Sequence, residues 1–275
     1  MTLAIPRRTP THVVTLNSRA PGSSVLVLAG LSLALLGLAL LGPSAVASAA
    51  PTITLKTRAL PIPGVAGTGN ILGAGAAIQV QYTVSGTEYG GFPPPVTGLR
   101  YYAPAGAELH PRGFATCTPS AIEASGVERC PKQSLAGPKG SAGGVVSFGS
   151  ERVHERVSVQ PFFAPGGGLG FDVVGSTPVS IEMLATGSIL GSSPPFGLEL
   201  IGRVPLVETV PEALDASITE IDVKVGAAYR RGGQTISYVT LPKRCPRSGL
   251  PVKSEMTFLG GATAQATYAM PCPKG

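Results

Sequence analysis

From residue 51 onward, glycine and proline cut the chain into runs too short for any long helix. The sequence holds 37 glycines and 27 prolines in 275 residues. Most of them cluster between stretches in which apolar and polar residues alternate. Proline fixes φ and removes a hydrogen-bond donor, while glycine supplies the conformations that tight turns need. Alternation with period two is the pattern of a half-buried strand. Such runs occupy 51–60, 77–85, 96–102, 141–148, 153–162, 169–174, 179–186, 196–205, 217–225, 235–241, 254–259 and 264–270. In the second, Ile78, Val80, Tyr82 and Val84 share a face. In 217–225, Thr219, Ile221, Val223 and Val225 do the same. Short strands at this spacing predict an all-β fold, an immunoglobulin-like or related β-sandwich. The β domain takes in residues 50–275, with two smaller sandwiches split near 205–214 as the alternative.

One short helix is expected. Thr118 can cap it, Pro119 suits its first turn, Ser120–Ser125 would form it, and Gly126 can end it. So short a helix is marginal alone. Cys117 and Cys130 flank it and can tether its base.

The first 49 residues read as a signal peptide. Arg7, Arg8 and Arg19 precede an uncharged run from Val25 to Leu41, followed by Pro43 and small residues. Ala47-Ser48-Ala49 has the small-x-small form of a cleavage site, placing cleavage after Ala49 or Ala50. The apolar run is long for a signal, so an uncleaved transmembrane anchor is the alternative. Either way, the domain is expected in a secreted or extracytoplasmic cell-surface location.

The chain carries 21 Lys and Arg against 15 Asp and Glu, a net charge of +6. Loss of the three leader arginines leaves +3, ordinary for a soluble surface. It argues neither for nucleic acid, and none is expected as a partner, nor for an anionic membrane surface. Membrane contact is expected only through the N-terminal segment, if uncleaved.

All four cysteines, Cys117, Cys130, Cys245 and Cys272, follow the leader. An even number in an exported chain indicates disulfides. Three pairings are open. The sequential one is favoured because each pair then lies in its own local segment. The spacings lack the CxxC pairs of zinc or thioredoxin-like sites.

Candidate chemistry is sparse. His110 and His154 have no partner at metal-ligand spacing, and neither HExxH nor GxSxG is present. The glycine-rich stretch at 67–75 lacks the ending of a phosphate loop. Glu108, Glu151, Glu155, Asp172, Glu182, Glu199, Glu220 and Asp222 could supply a carboxylate pair for glycoside hydrolysis, but no spacing selects two of them. No metal or cofactor is called for, and no catalytic residue is assigned. The most distinct polar feature is basic: Arg230 and Arg231 before a Gly-Gly turn, and Lys243, Arg244 and Arg247 around Cys245. Together they form a candidate binding patch for an anionic envelope polymer.

The segments ATCTPSAIEASGVERCPKQSLAGPKGSA and ISYVTLPKRCPRSGLPVKSEMTF, with the terminal PCP, resemble stretches of secreted proteins from high-GC actinobacteria. The resemblance spans most of the chain after the leader and brings no established activity. It implies local pairing, Cys117 with Cys130 and Cys245 with Cys272. The expectation is therefore an exported cell-envelope or secreted binding or structural module. Its partner would be a cell-wall polymer or an envelope protein. A secreted polysaccharide hydrolase with an unrecognised carboxylate pair is the alternative.

Overall fold

In the computed structural model, which describes residues 50–62, 65 and 71–273, the alternating runs are strands. In chain order these are β1 (Thr52–Leu60), β2 (Ala77–Ser85), β3 (Val96–Pro104), β4 (Glu108–Leu109), β5 (Gly140–Phe148), β6 (Glu151–Phe163), β7 (Leu169–Gly175) and β8 (Ile181–Gly191). There follow β9 (Phe196–Arg203), β10 (Ser217–Val225), β11 (Ala228–Arg231), β12 (Gln234–Ser237), β13 (Val239–Thr240), β14 (Leu250–Phe258) and β15 (Thr263–Met270). The helix α1 (Pro119–Ser125) lies between β4 and β5.

Eleven strands join in one sheet, ordered β1-β2-β10-β5-β6-β7-β8-β9-β3-β14-β15. Every neighbouring pair is antiparallel. A twisted sheet this wide curls, since open sheets rarely exceed about 10 strands. Here the curl brings its two edge strands, β1 and β15, side by side. Ile53 and Leu55 of β1 share a core with Val252, Met256 and Phe258 of β14, and Ala264, Ala266 and Tyr268 of β15 pack against it. No ladder links β1 to β15, so the barrel is nearly closed by side chains. The small alanines of β15 let the two strands approach.

The expected sandwich is therefore corrected to a single near-closed barrel. Two sheets and one curled sheet bury the same alternating face, so alternation does not separate them. The strands on either side of 205–214, β9 and β10, belong to the same sheet.

Two local features set its curvature. Between Ile218 and Glu220 the β10 register shifts against β5, leaving Thr219 as an extra residue. Such a bulge bends the strand and raises its twist. It also turns Ile218 inward where uninterrupted alternation would place Thr219. Opposite it, Gly144 lets β5 press close: a Cβ there would meet the Ser217 carbonyl at 2.4 Å.

The helix forms as its caps dictate. Thr118 accepts a hydrogen bond from the Ala121 N–H at 3.2 Å, Pro119 opens the first turn, and the Gly126 N–H returns to the Ile122 carbonyl. Cys117–Cys130 closes the segment, and Cys245–Cys272 ties the approach to β14 to the chain after β15. Ile122 and Val127 bury against Phe162, with Leu184 beside them, on the outer face of the barrel wall.

An expected alternative needs correction. Among the described residues, no helix is long and apolar enough to cross a membrane. The run from Val25 to Leu41, on which a transmembrane helix was expected, lies outside the described residues, as does the expected cleavage residue Ala49.

Candidate functional site

The inward faces of the strands do not fill the barrel. Two adjoining apolar cavities, of about 160 and 130 Å³, lie along its interior. Tyr82, Leu99, Phe171, Leu200 and Val223 line both and form the wall between them. The first cavity takes Val157 and Val159 from β6, Met183 and Ala185 from β8, and Ile218 and Ile221 from β10. The second takes Ile78 and Val80 from β2, Leu198 from β9, and Tyr238 and Leu241 near one end of the barrel. The space exists because several inward positions carry little bulk, among them Ala142, Gly144, Ala185 and Gly202. An engineered apolar cavity of about 150 Å³ stays dry and binds benzene. Each cavity is thus of a size to hold a ring or a short stretch of hydrocarbon.

At one end, Phe163 and Tyr238 pack with ring centroids 4.3 Å apart, and Phe114 meets Phe163 at 4.9 Å and Tyr238 at 5.6 Å. The Tyr238 hydroxyl donates to the Gly167 carbonyl at 3.1 Å, and burial pushes its pKa up to about 12. At the other end, the first cavity is lined by Arg203 and Pro205, both exposed, and by Val207 and Ala216. The 204–216 loop spans this end. Thr209 Oγ1 donates to the Ser147 carbonyl at 2.6 Å, and Ser147 Oγ donates to the Leu214 carbonyl at 2.8 Å.

Glu155 is a buried carboxylate in this mostly apolar interior. The run Val153-His154-Glu155-Arg156-Val157 alternates, so Glu155 shares the inward face of β6 with Val157 and Val159. It is 4 % exposed and lines the first cavity. Its cross-strand neighbour in β5 is Gly144, which offers no side chain. The Val179 N–H reaches Oε2 at 3.4 Å, and Oε1 has no hydrogen-bond partner among the described residues. A buried carboxylate left this way is costly, because nothing replaces the water it gave up.

The other carboxylates are differently placed. Asp172 is also buried, but it faces outward from β7, since Leu169, Phe171 and Val173 take the inward positions. Burial raises its pKa, with Glu182 and then Glu128 adding to the effect. Asp222 accepts from Gln79 Nε2 and Gln81 Nε2, each at 2.8 Å. Glu220 pairs with Arg156 at 3.4 Å and Glu199 with Arg100 at 2.9 Å. Glu108 lies 3.7 Å from His110, and Glu151 and Glu182 are exposed. Asp222 and Glu220 line a polar groove on the outer surface.

The histidines are placed apart. His110 Nε2 is 3.2 Å from Thr240 Oγ1, and the His154 ring meets Phe92 edge-on at 5.9 Å. Among the described residues, no three His, Cys, Asp or Glu side chains are grouped to hold a metal ion. The five basic residues of the candidate patch are all exposed. Arg230 and Arg231 lie at the tip of the β11–β12 hairpin, and Lys243, Arg244 and Arg247 in the loop around Cys245.

Sequence reasoning named Glu155 only as one carboxylate among eight. The signal that singles it out was present: an acid at an inward position of an alternating strand, between valines. The cavities themselves had no sequence signature, since they depend on which strands face each other. Comparison of the chain with protein-family models, with curated proteins and with solved structures finds no match.

Proposed function

We propose that this is an exported binding protein that carries a small apolar molecule inside its barrel. The observation behind the proposal is the pair of adjoining apolar cavities, of about 160 and 130 Å³, sharing the wall of Tyr82, Leu99, Phe171, Leu200 and Val223. Concave, mostly apolar sites with few polar groups are the usual form of small-molecule sites. A close-packed core would leave few voids larger than a water molecule. The export reading is supported by the basic start, the apolar run and the small residues before residue 50, and by four cysteines paired in two disulfides.

The test is uptake of a hydrocarbon probe. Naphthalene, a two-ring probe matched to cavities of this size, titrated into the full chain in detergent-free buffer is expected to bind saturably, with a rise in its fluorescence anisotropy. Anisotropy unchanged from that of naphthalene in buffer overturns the proposal.

A further inference from the structure

We infer that Glu155 is the polar anchor of the cavity, and that the ligand is an amphiphile bearing a hydrogen-bond donor, an alcohol or an amine, on an apolar body. The inference rests on the reading of the barrel as a carrier of apolar molecules, and names the class of molecule.

Three observations carry it. Glu155 is 4 % exposed and belongs to the lining of the larger cavity, so a molecule lying there meets its carboxyl group. The group is under-satisfied: Oε1 has no partner among the described residues, and Oε2 has one long contact, to the Val179 N–H at 3.4 Å. The space around it is kept clear of side chains. Gly144 faces it across the β5–β6 ladder, and a Cβ on Gly175 would come within 2.9 Å of Oε1.

An ionised carboxylate only accepts hydrogen bonds. The group that satisfies Oε1 must therefore donate. No described residue forms an ion pair with Glu155. A donating head group on the ligand would replace the water lost on burial, while the rest of the molecule fills the apolar space around Val157, Val159 and Met183. A ligand carboxylate, itself only an acceptor, has no proton to donate to Oε1. A site built to pair with a donor rejects analogues that lack one, because its own polar group is then left unpaired.

The test is displacement of naphthalene from the full chain by four six-carbon compounds: hexane, hexan-1-ol, hexylamine and hexanoate. For the native chain, hexan-1-ol and hexylamine are expected to displace naphthalene at concentrations at least tenfold below those of hexane and hexanoate. Glu155→Leu should remove the preference for both donors. Glu155→Gln, nearly the same shape, should keep the preference for the alcohol and lose that for the amine. Asp172→Asn, a buried carboxylate on the opposite face of the wall, serves as the control and should not change the order. Equal displacement by all four compounds, or a preference that survives in Glu155→Leu, overturns the anchor while leaving the carrier reading in place. If naphthalene itself does not bind, the carrier reading falls and the anchor falls with it. Should Glu155→Leu fail to fold, the loss or survival of the amine preference in Glu155→Gln decides the matter.

Discussion

The Tyr82 hydroxyl donates to Ser254 Oγ at 2.8 Å, joining β2 to β14 through the barrel interior. Ser254 Oγ donates in turn to the Arg100 carbonyl at 2.8 Å, which extends the hydrogen-bond chain to β3. Tyr82 also stands in the wall between the two cavities. The link therefore holds the partition in place. Its two ends differ in what their loss leaves behind. Tyr82→Phe removes a donor and leaves Ser254 bonded to Arg100. Ser254→Ala leaves a buried phenol without an acceptor. Urea unfolding should show Ser254→Ala destabilised by about 1–3 kcal/mol and Tyr82→Phe by about 1 kcal/mol. No loss in either variant would show that the link does not bear on stability.

Removing the first disulfide should loosen the outer cover of the wall. In the double variant Cys117→Ser with Cys130→Ser, the loss of loop closure alone predicts a cost of about 3 kcal/mol. Ile122 and Val127 would then leave Phe162 exposed beside Leu184. Thermal unfolding would register the loss, and amide exchange should rise in residues 117–135 before the rest of the barrel. Uniform exchange across the chain would contradict a local role for this bridge.

Gly170 is set by its neighbour. A Cβ at this position would lie 2.0 Å from the Phe162 ring. Gly170→Ala must displace a fully buried aromatic, and overpacking of this kind costs about 1–3 kcal/mol. Gly191, with open space around its would-be Cβ, provides the comparison. Denaturation midpoints should fall for Gly170→Ala and stay near the native value for Gly191→Ala.

Two kinds of group make stability fall as pH rises. Burial raises the pKa of Asp172 in the folded chain. The folded state then keeps a proton that the unfolded state releases first, so stability declines as pH climbs from the ordinary aspartate range through the folded value. Asp172→Asn should therefore raise the Tm at neutral pH, with the gain vanishing in strong acid. The same sign applies at the alkaline end. Burial pushes Tyr101 and Tyr238 up to about 12 and Tyr82 higher still. Above the ordinary tyrosine pKa of about 10, stability should drop, with phenolate absorbance from these residues appearing only on unfolding. Full ionisation of all tyrosines in the folded chain would contradict their placement.

Much of the fold was legible residue by residue. The alternation of Ile78, Val80, Tyr82 and Val84 identified the inward face of β2, and Thr118, Pro119 and Gly126 marked the ends of α1. What the sequence left open is long-range. Nothing local says that β10 inserts between β2 and β5, or β3 between β9 and β14, and those pairings turn a presumed sandwich into a barrel. The bulge at Thr219 is likewise a product of pairing: uninterrupted alternation put Thr219 inside, where the shifted register puts Ile218. Glu155 was visible in the sequence as a carboxylate and as a member of an alternating strand. Its importance emerged only once the strands opposite proved to leave a space.

The most direct test of the carrier reading is to fill the space. Ala185 lines the larger cavity on β8, whereas Leu190 on the same strand is 54 % exposed. Naphthalene affinity should be measured for the native chain, Ala185→Phe and Leu190→Phe. An interior site predicts at least a tenfold loss for Ala185→Phe and none for Leu190→Phe. Equal affinities in all three, or no binding to the native chain, would contradict it.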